Sequence, residues 1–322
     1  MQPKKLRWLI AHEPNELFLR TAVAFAERLK ETTNGRYEVE IYTVDEYEAK
    51  FKTFTDPGRN FVPSPMVLLE SGEIELSQLH ITELAQFHAP DFFALELPFL
   101  FKDHDHAARV FEGQIGKTML NNLKDRSPAT GLAFTYSGGF RCVAAEQEIT
   151  SLEQLKGITY ATCINPVTID MVEALGAIAE PLHIKDFIKK FQEEGVTAGA
   201  LETTIPRYLA QFATTTKKHL LNTKHNLFLT AIIISNEFLA SLNDEDRAAF
   251  YDASEYASRL ERKWSVEDAV AFAEKKDHSD IGVTYAELSA EETEKFKALT
   301  APLYDKYKDF FSVDLVDGII RS

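Results

Sequence analysis

Positive charge is scarce in this chain: 35 lysines and arginines stand against 50 aspartates and glutamates, a formal net charge of −15. That deficit argues against a nucleic-acid partner, because neutralising phosphates takes clustered Lys and Arg. It argues equally against adhesion to an anionic membrane surface. It leaves an anionic small ligand open, since the charge of a pocket can oppose the net charge. Long apolar runs are missing too, and none approaches the roughly 18–20 residues of a membrane helix. The opening "MQPKKLRWLIAHEP" has an apolar stretch too short for a secretory signal. The chain is therefore expected to be cytoplasmic, or to have lost an export signal. Glycine (14) and proline (12) are modest, which sets aside disordered and fibrous classes. The two cysteines, Cys142 and Cys163, leave the redox compartment undecided. They fall on segments that read as neighbouring strands, so a disulfide and two buried free thiols both fit. The usual enzyme signatures are absent: there is no P-loop, GxSxG, HExxH or CxxC.

What is present reads as an α/β protein of 322 residues, long enough for two cores. "LRWLIAH", the helix-spaced Phe18, Ala22, Phe25, Ala26 and Leu29 closed by Asn34-Gly35, and the alternating "YEVEIYTV" predict a parallel βαβ unit. A helix ending near Gly72, a strand and a helix from Thr82 follow. Asp103 is expected to cap one helix, and another starts near Gln114. "GLAFTYSGGFRCVAAEQEI" predicts two strands broken at Gly138-Gly139. "SLEQLKG" is a short Ser-capped helix, "ITYATCI" a strand, and "VTIDMVEALGA" and "IKDFIKKFQEEG" are helices. "NLFLTAIIIS" reads as a buried strand. Residues 243–278 keep a helical period with no Gly or Pro, a length of ~50 Å that exceeds one small domain. No linker divides the chain, so two lobes around a cleft are expected, joined by crossing strands. The expected boundaries are 1–137 with 226–262 for one lobe, and 138–225 with roughly 263–290 for the other. Helices in 291–322 would pack across both.

Candidate chemistry is sparse. In "KDHDHAARV", His104 and His106 could share an ion on a strand, but the stretch reads as a helix N-terminus with an Asp cap. "TTTKKHLLNTKH" is either an anion patch or a solvated connection. Arg141, after two glycines and in a strand-like context, is either paired to a carboxylate or aimed at the cleft.

Five segments, in order, resemble one family: "NGRYEVEIYT", "FFALELPFLFKDHDHAARVFEGQIG", "GGFRCVAAEQEITSLEQLKGITY", "MVEALGAIAEPLHIKDF" and "LNTKHNLFLTAIIISNEFLASLNDEDRAAFYDAS". They are similar to the substrate-binding proteins of tripartite ATP-independent periplasmic (TRAP) transporters, DctP type. The resemblance implies a two-lobed periplasmic-binding-protein fold of the venus-flytrap kind, with hinge strands and a long helix running between the lobes. It implies a periplasmic, monomeric binder without catalysis or cofactor, which delivers a small ligand to membrane permease subunits. A ligand-sensing or scaffold protein that works with a receptor is the alternative on the same fold. An enzyme grafted on that fold would need paired acid and base groups that the sequence does not display.

The family pattern implies an Arg clamp on the ligand carboxylate in the strand after a Lys-Gly turn, a second Arg in Gly-Phe-Arg, and an Asn after Val-Asp-Gly-x-Glu. Here Lys156-Gly157 puts Ala161 at the clamp position, flanked by Tyr160 and Thr162. Arg141 matches the second Arg. In "EEGVTAGALETTIPRY" Ala198 replaces the Asp, and the Asn position falls on Leu201, Glu202 or Thr203, with Glu202 keeping Gly199 aligned. A carboxylate facing Ala161 and Glu202 would be repelled, so a simple carboxylate is not the expected ligand. Arg141 and Glu202 could pair beside a neutral ligand. Glu202 could instead face a cation with Tyr136, Tyr160 or Phe140 supplying a ring. Arg207 or Lys224 could restore anion binding. Further cleft candidates at strand ends are His12, Glu13, Thr82, Asn165 and Ile184, the last where many family members carry an aromatic ring.

Overall fold

The structure is a computed structural model, and it describes residues 2–12, 14–51, 64–182, 186, 199–275 and 277–322. Glu13, Ile184 and most of the expected helix "IKDFIKKFQEEG" lie outside them. Backbone contacts divide the chain into two compact units. The first comprises residues 1–84, 111–136 and 229–264, and the second 85–110, 137–228 and 265–322.

The first unit begins as its sequence dictates. Strands β1 (Lys4–Ile10) and β2 (Tyr37–Thr43) pair in parallel along their whole length, joined by the helix Asn15–Thr32. Leu6, Trp8 and Ile10, which alternate along β1, meet Phe18, Ala22, Phe25 and Leu29 of that helix in one apolar cluster. Ala26 is half-buried beside it. Phe25 lies 5.1 Å from Trp8 and 6.0 Å from Phe250, ring centre to ring centre. The helix stops where Asn34 and Gly35 take positive φ and the Gly35 amide turns back to the carbonyl of Lys30. β3 (Leu76–His80), β10 (Leu227–Ser235) and β4 (Ala129–Phe140) complete a sheet of order β2-β1-β3-β10-β4. β10 is antiparallel to β3 and buried throughout.

The second unit holds β5 (Cys142–Ala145), β6 (Thr159–Cys163), β7 (Ile178–Leu182), β8 (Ala200–Thr203), β9 (His219–Asn222) and β11 (Thr284–Glu287). Their order is β11-β9-β5-β8-β6-β7. β4, β10 and the 32-residue helix Asp244–Lys275 each contribute residues to both units. The period without Gly or Pro thus yields a single helix, capped at Asn243, whose side chain accepts the Asp246 amide at 2.8 Å.

Two local expectations change. The strand pair does not break at Gly138-Gly139: β4 runs through both, with φ of 95° and 86°, and the interruption falls at Arg141. A Cβ on Gly138 would stand 2.4 Å from Thr204 Oγ1 and 2.9 Å from Pro206 Cδ, so only glycine lets β4 close on that turn. A further helix, Leu315–Arg321, closes the chain. The Asp103 cap is present, accepting the His106 amide at 2.7 Å. His106 has both ring nitrogens engaged, with the Lys102 amide and the Ile319 carbonyl, while His104 packs on Phe140. Both cysteines are free thiols. Burial pushes Cys142 up to about 12 and Cys163 up to about 11, so neither is a thiolate at neutral pH.

Candidate functional site

Five strands of the second sheet run one way and β5 alone is reversed. The carboxyl ends of β6, β8 and β9 and the start of β5 therefore share one sheet edge, the edge where open α/β sheets present ligand groups. Period-2 alternation then sorts the side chains. Ala161, Leu201, Ala144 and Leu220 stand level across four strands and lie in the apolar core. One residue on, Thr162 and Glu202 turn to the opposite face, and their side chains meet at 3.1 Å.

Arg141 sits at the centre of this edge. Its amide donates to the Asn226 carbonyl at 2.8 Å, and its carbonyl accepts from the Lys224 amide and Thr223 Oγ1. Nη1 donates to Glu202 Oε1 at 2.5 Å, and Nη2 reaches both oxygens of Glu96 at 3.0 and 3.2 Å. The guanidinium lies 4.2 Å from the centre of the Phe228 ring, and Arg207 lies 4.9 Å from that same ring. Glu96 is wholly buried, and Arg141 and Glu202 nearly so. Glu202 Oε2 is buried with no hydrogen-bond partner among the described residues. His225 Nε2 lies 3.7 Å from it, and His225 Nδ1 lies 2.6 Å from Thr223 Oγ1.

The electrostatics follow from this packing. Burial is the largest influence on Glu202 and opposes its ionisation, but Arg141, His225 and Thr162 together overcome it and hold the carboxyl below its ordinary range. Arg141 is likewise disfavoured by burial and more than compensated by Glu202 and Glu96, so it stays charged. Burial lowers His225 despite the opposing pull of Glu202, which favours a neutral ring. Burial first, and Glu202 second, push the Tyr160 hydroxyl far above its usual value.

Of the residues singled out by sequence, the structure brings Arg141 and Glu202 into direct contact, with the buried Tyr160 close enough to feel the Glu202 charge. Ala161 is not in this group; it belongs to the core face, and Thr162 is the β6 side chain that reaches Glu202. Asn165 caps the helix Pro166–Ala174, accepting from the Val167 and Thr168 amides, and its buried Nδ2 has no partner among the described residues. Thr203 Oγ1 bonds the Thr204 carbonyl at 3.3 Å. Tyr136 and Thr82 are buried in the first unit, where the Tyr136 amide donates to Glu261 at 2.6 Å. His12 Nε2, also there, lies 3.6 Å from Glu83. Lys224 pairs with Glu287 at 2.9 Å, and the buried Lys217 with Glu146 at 2.6 Å, so two lysines of the "TTTKKHLLNTKH" stretch are held by carboxylates.

Sequence reasoning missed Glu96, Thr162, His225 and Phe228. Glu96 carried one signal: it is the lone charge in the apolar run "FFALELPFLF".

Residues 10–309 match the family described as DctP, bacterial extracellular solute-binding protein, family 7. The C4-dicarboxylate-binding periplasmic protein DctP of Rhodobacter capsulatus is 23% identical over 304 residues, covering 92% of this chain and 84% of that protein. A TRAP periplasmic solute-binding protein from Ochrobactrum anthropi is 26% identical with a TM-score of 0.79, over 99% of this chain and 94% of that one. The sugar acid binding protein DctPAm from Advenella mimigardefordensis, in complex with galactonate, superposes with a TM-score of 0.83 at 21% identity, over 100% and 98% of the chains.

Proposed function

We propose, from the premise that this chain belongs to the bacterial extracellular solute-binding proteins of family 7, that it captures a small solute in the periplasm for the permease subunits of a TRAP-type transporter. In this reading it binds and releases its solute without chemical change. The names of its relatives favour organic acids as the starting point: C4-dicarboxylates for one and galactonate for another.

The residues favour a different ligand. Arg141 is the cation that matches the family pattern, and its buried fork already holds Glu202. With Glu96 on Nη2 as well, two carboxylates already share that guanidinium, which disfavours a third from a simple carboxylate solute. That shared fork carries the reading that the pocket is atypical. A thermal-shift screen with succinate, D-erythronate and D-galactonate against neutral and cationic solutes tests it. A solute at 100 times its Kd adds about 2.7 kcal/mol, which moves the melting temperature visibly. The expected result is no shift with the three acids. A clear shift with any of them would show that Arg141 is not withheld from anions.

A further inference from the structure

Glu96 is held in place as firmly as the arginine it meets. It ends the short helix Pro90–Glu96, and Leu97 is already extended ahead of Pro98. Its backbone carbonyl accepts from Asn226 Nδ2 at 3.2 Å, and the Asn226 carbonyl in turn accepts the Arg141 amide. Glu96 and Arg141 are thereby fixed on one residue, with both Glu96 oxygens within 3.2 Å of Nη2. Glu202 occupies Nη1 with one oxygen, which Thr162 also reaches, and its Oε2 has no hydrogen-bond partner among the described residues. Two buried carboxylates thus share one guanidinium, and among the described residues one acceptor oxygen lacks a hydrogen-bond donor. A buried acceptor without a donor is destabilising, and a donor group arriving from outside would relieve it.

We propose that Glu96 is a specificity-determining residue: a built-in carboxylate that fills the Arg141 fork, excludes anionic solutes, and leaves Glu202 Oε2 to accept from a hydroxyl or ammonium group of a non-anionic solute. This rests on the reading above only in placing Arg141 and Glu202 at the solute site.

The test is gain of binding, measured by isothermal titration of succinate, D-erythronate and D-galactonate into the wild-type protein and Glu96→Gln. Glutamine keeps the shape and the hydrogen bond but removes the competing charge. The expected result is that Glu96→Gln binds at least one of the acids more tightly by on the order of tenfold or more. Adding Arg141→Gln to that variant is expected to abolish the gain. A folded Glu96→Gln protein with no gain for any of the three acids overturns the proposal, as does a gain that survives loss of Arg141. If Glu96→Gln does not fold, Glu202→Gln, which frees the other arm of the fork, decides by the same comparison. Failure of the non-carboxylate reading looks different: the wild-type protein itself binds an acid. Further tightening in Glu96→Gln would then still support Glu96 as the competitor, and unchanged affinity would sink both readings.

Discussion

Arg141 joins three chain segments through one side chain, and the cost of losing it is set by what it leaves behind. Glu96 and Glu202 are buried, so Arg141→Leu would strand two carboxylates without a counter-charge. Breaking a buried pair by removing one partner costs about 3–5 kcal/mol, more than the pair itself contributes over an apolar substitute. Arg141→Leu is therefore expected to lower unfolding stability by about that amount. Replacing all three residues with apolar side chains should return much of it. Urea denaturation of the single and triple variants checks this; a single variant as stable as wild type would mean the carboxylates can protonate or reach water at little cost. The pairing of Arg141 with Glu202 was one of the alternatives legible in sequence, because Arg141 keeps the family pattern while Glu202 departs from it. Glu96 was not, since 45 residues separate it from Arg141 and only the fold brings them together.

At the scale of elements, period and punctuation decide most of the structure. The opening βαβ unit follows from alternation in two strands, a 3.6 period between them, and an Asn-Gly stop. Gly138-Gly139 shows where punctuation misleads. Glycine commonly ends a strand, but here it serves close approach, and β4 continues through it. Gly138→Ala places a Cβ against Thr204 and Pro206 at a φ of 95°, where alanine is strained even in open space. The expected loss is at least the roughly 1–3 kcal/mol of the backbone strain alone. Thermal unfolding checks it, with Gly35→Ala as the control: there φ is also positive but no atom lies within 4 Å. Equal losses at the two positions would mean that contact with Thr204 adds nothing. The same logic explains Ala161. Aligned by its distance from the Lys-Gly turn it looks like a ligand position, yet its place in the strand alternation assigns it to the core.

For the whole molecule, the buried charges set a pH dependence separate from the surface charge. His225 ionises in the unfolded chain near 6.5, while burial lowers it in the folded state. The unfolded chain thus binds more protons as pH falls below that value, and stability drops with it. Glu202, depressed below its ordinary 4.5 because Arg141, His225 and Thr162 together overcome burial, adds a second loss in the same direction at lower pH. Denaturation at pH 7.5 and pH 5.5 should show a loss in the wild-type protein that is smaller in His225→Gln. An identical loss in the two proteins would place the ring in a setting where it can charge without penalty.

The sequence by itself determined the fold class and the family, because both rest on features repeated along the chain: alternation, helical period, caps, and five motifs in order. It also singled out Arg141, which keeps the family pattern, and Glu202, which departs from it. Only the tertiary structure decided that Glu96 shares the guanidinium, that Thr162 rather than Ala161 faces Glu202, and that one carboxylate oxygen has no hydrogen-bond partner among the described residues. Those facts depend on which strands are neighbours and in what register. Register is set by the joint burial of many side chains across the sheet, a quantity that no one segment of sequence contains.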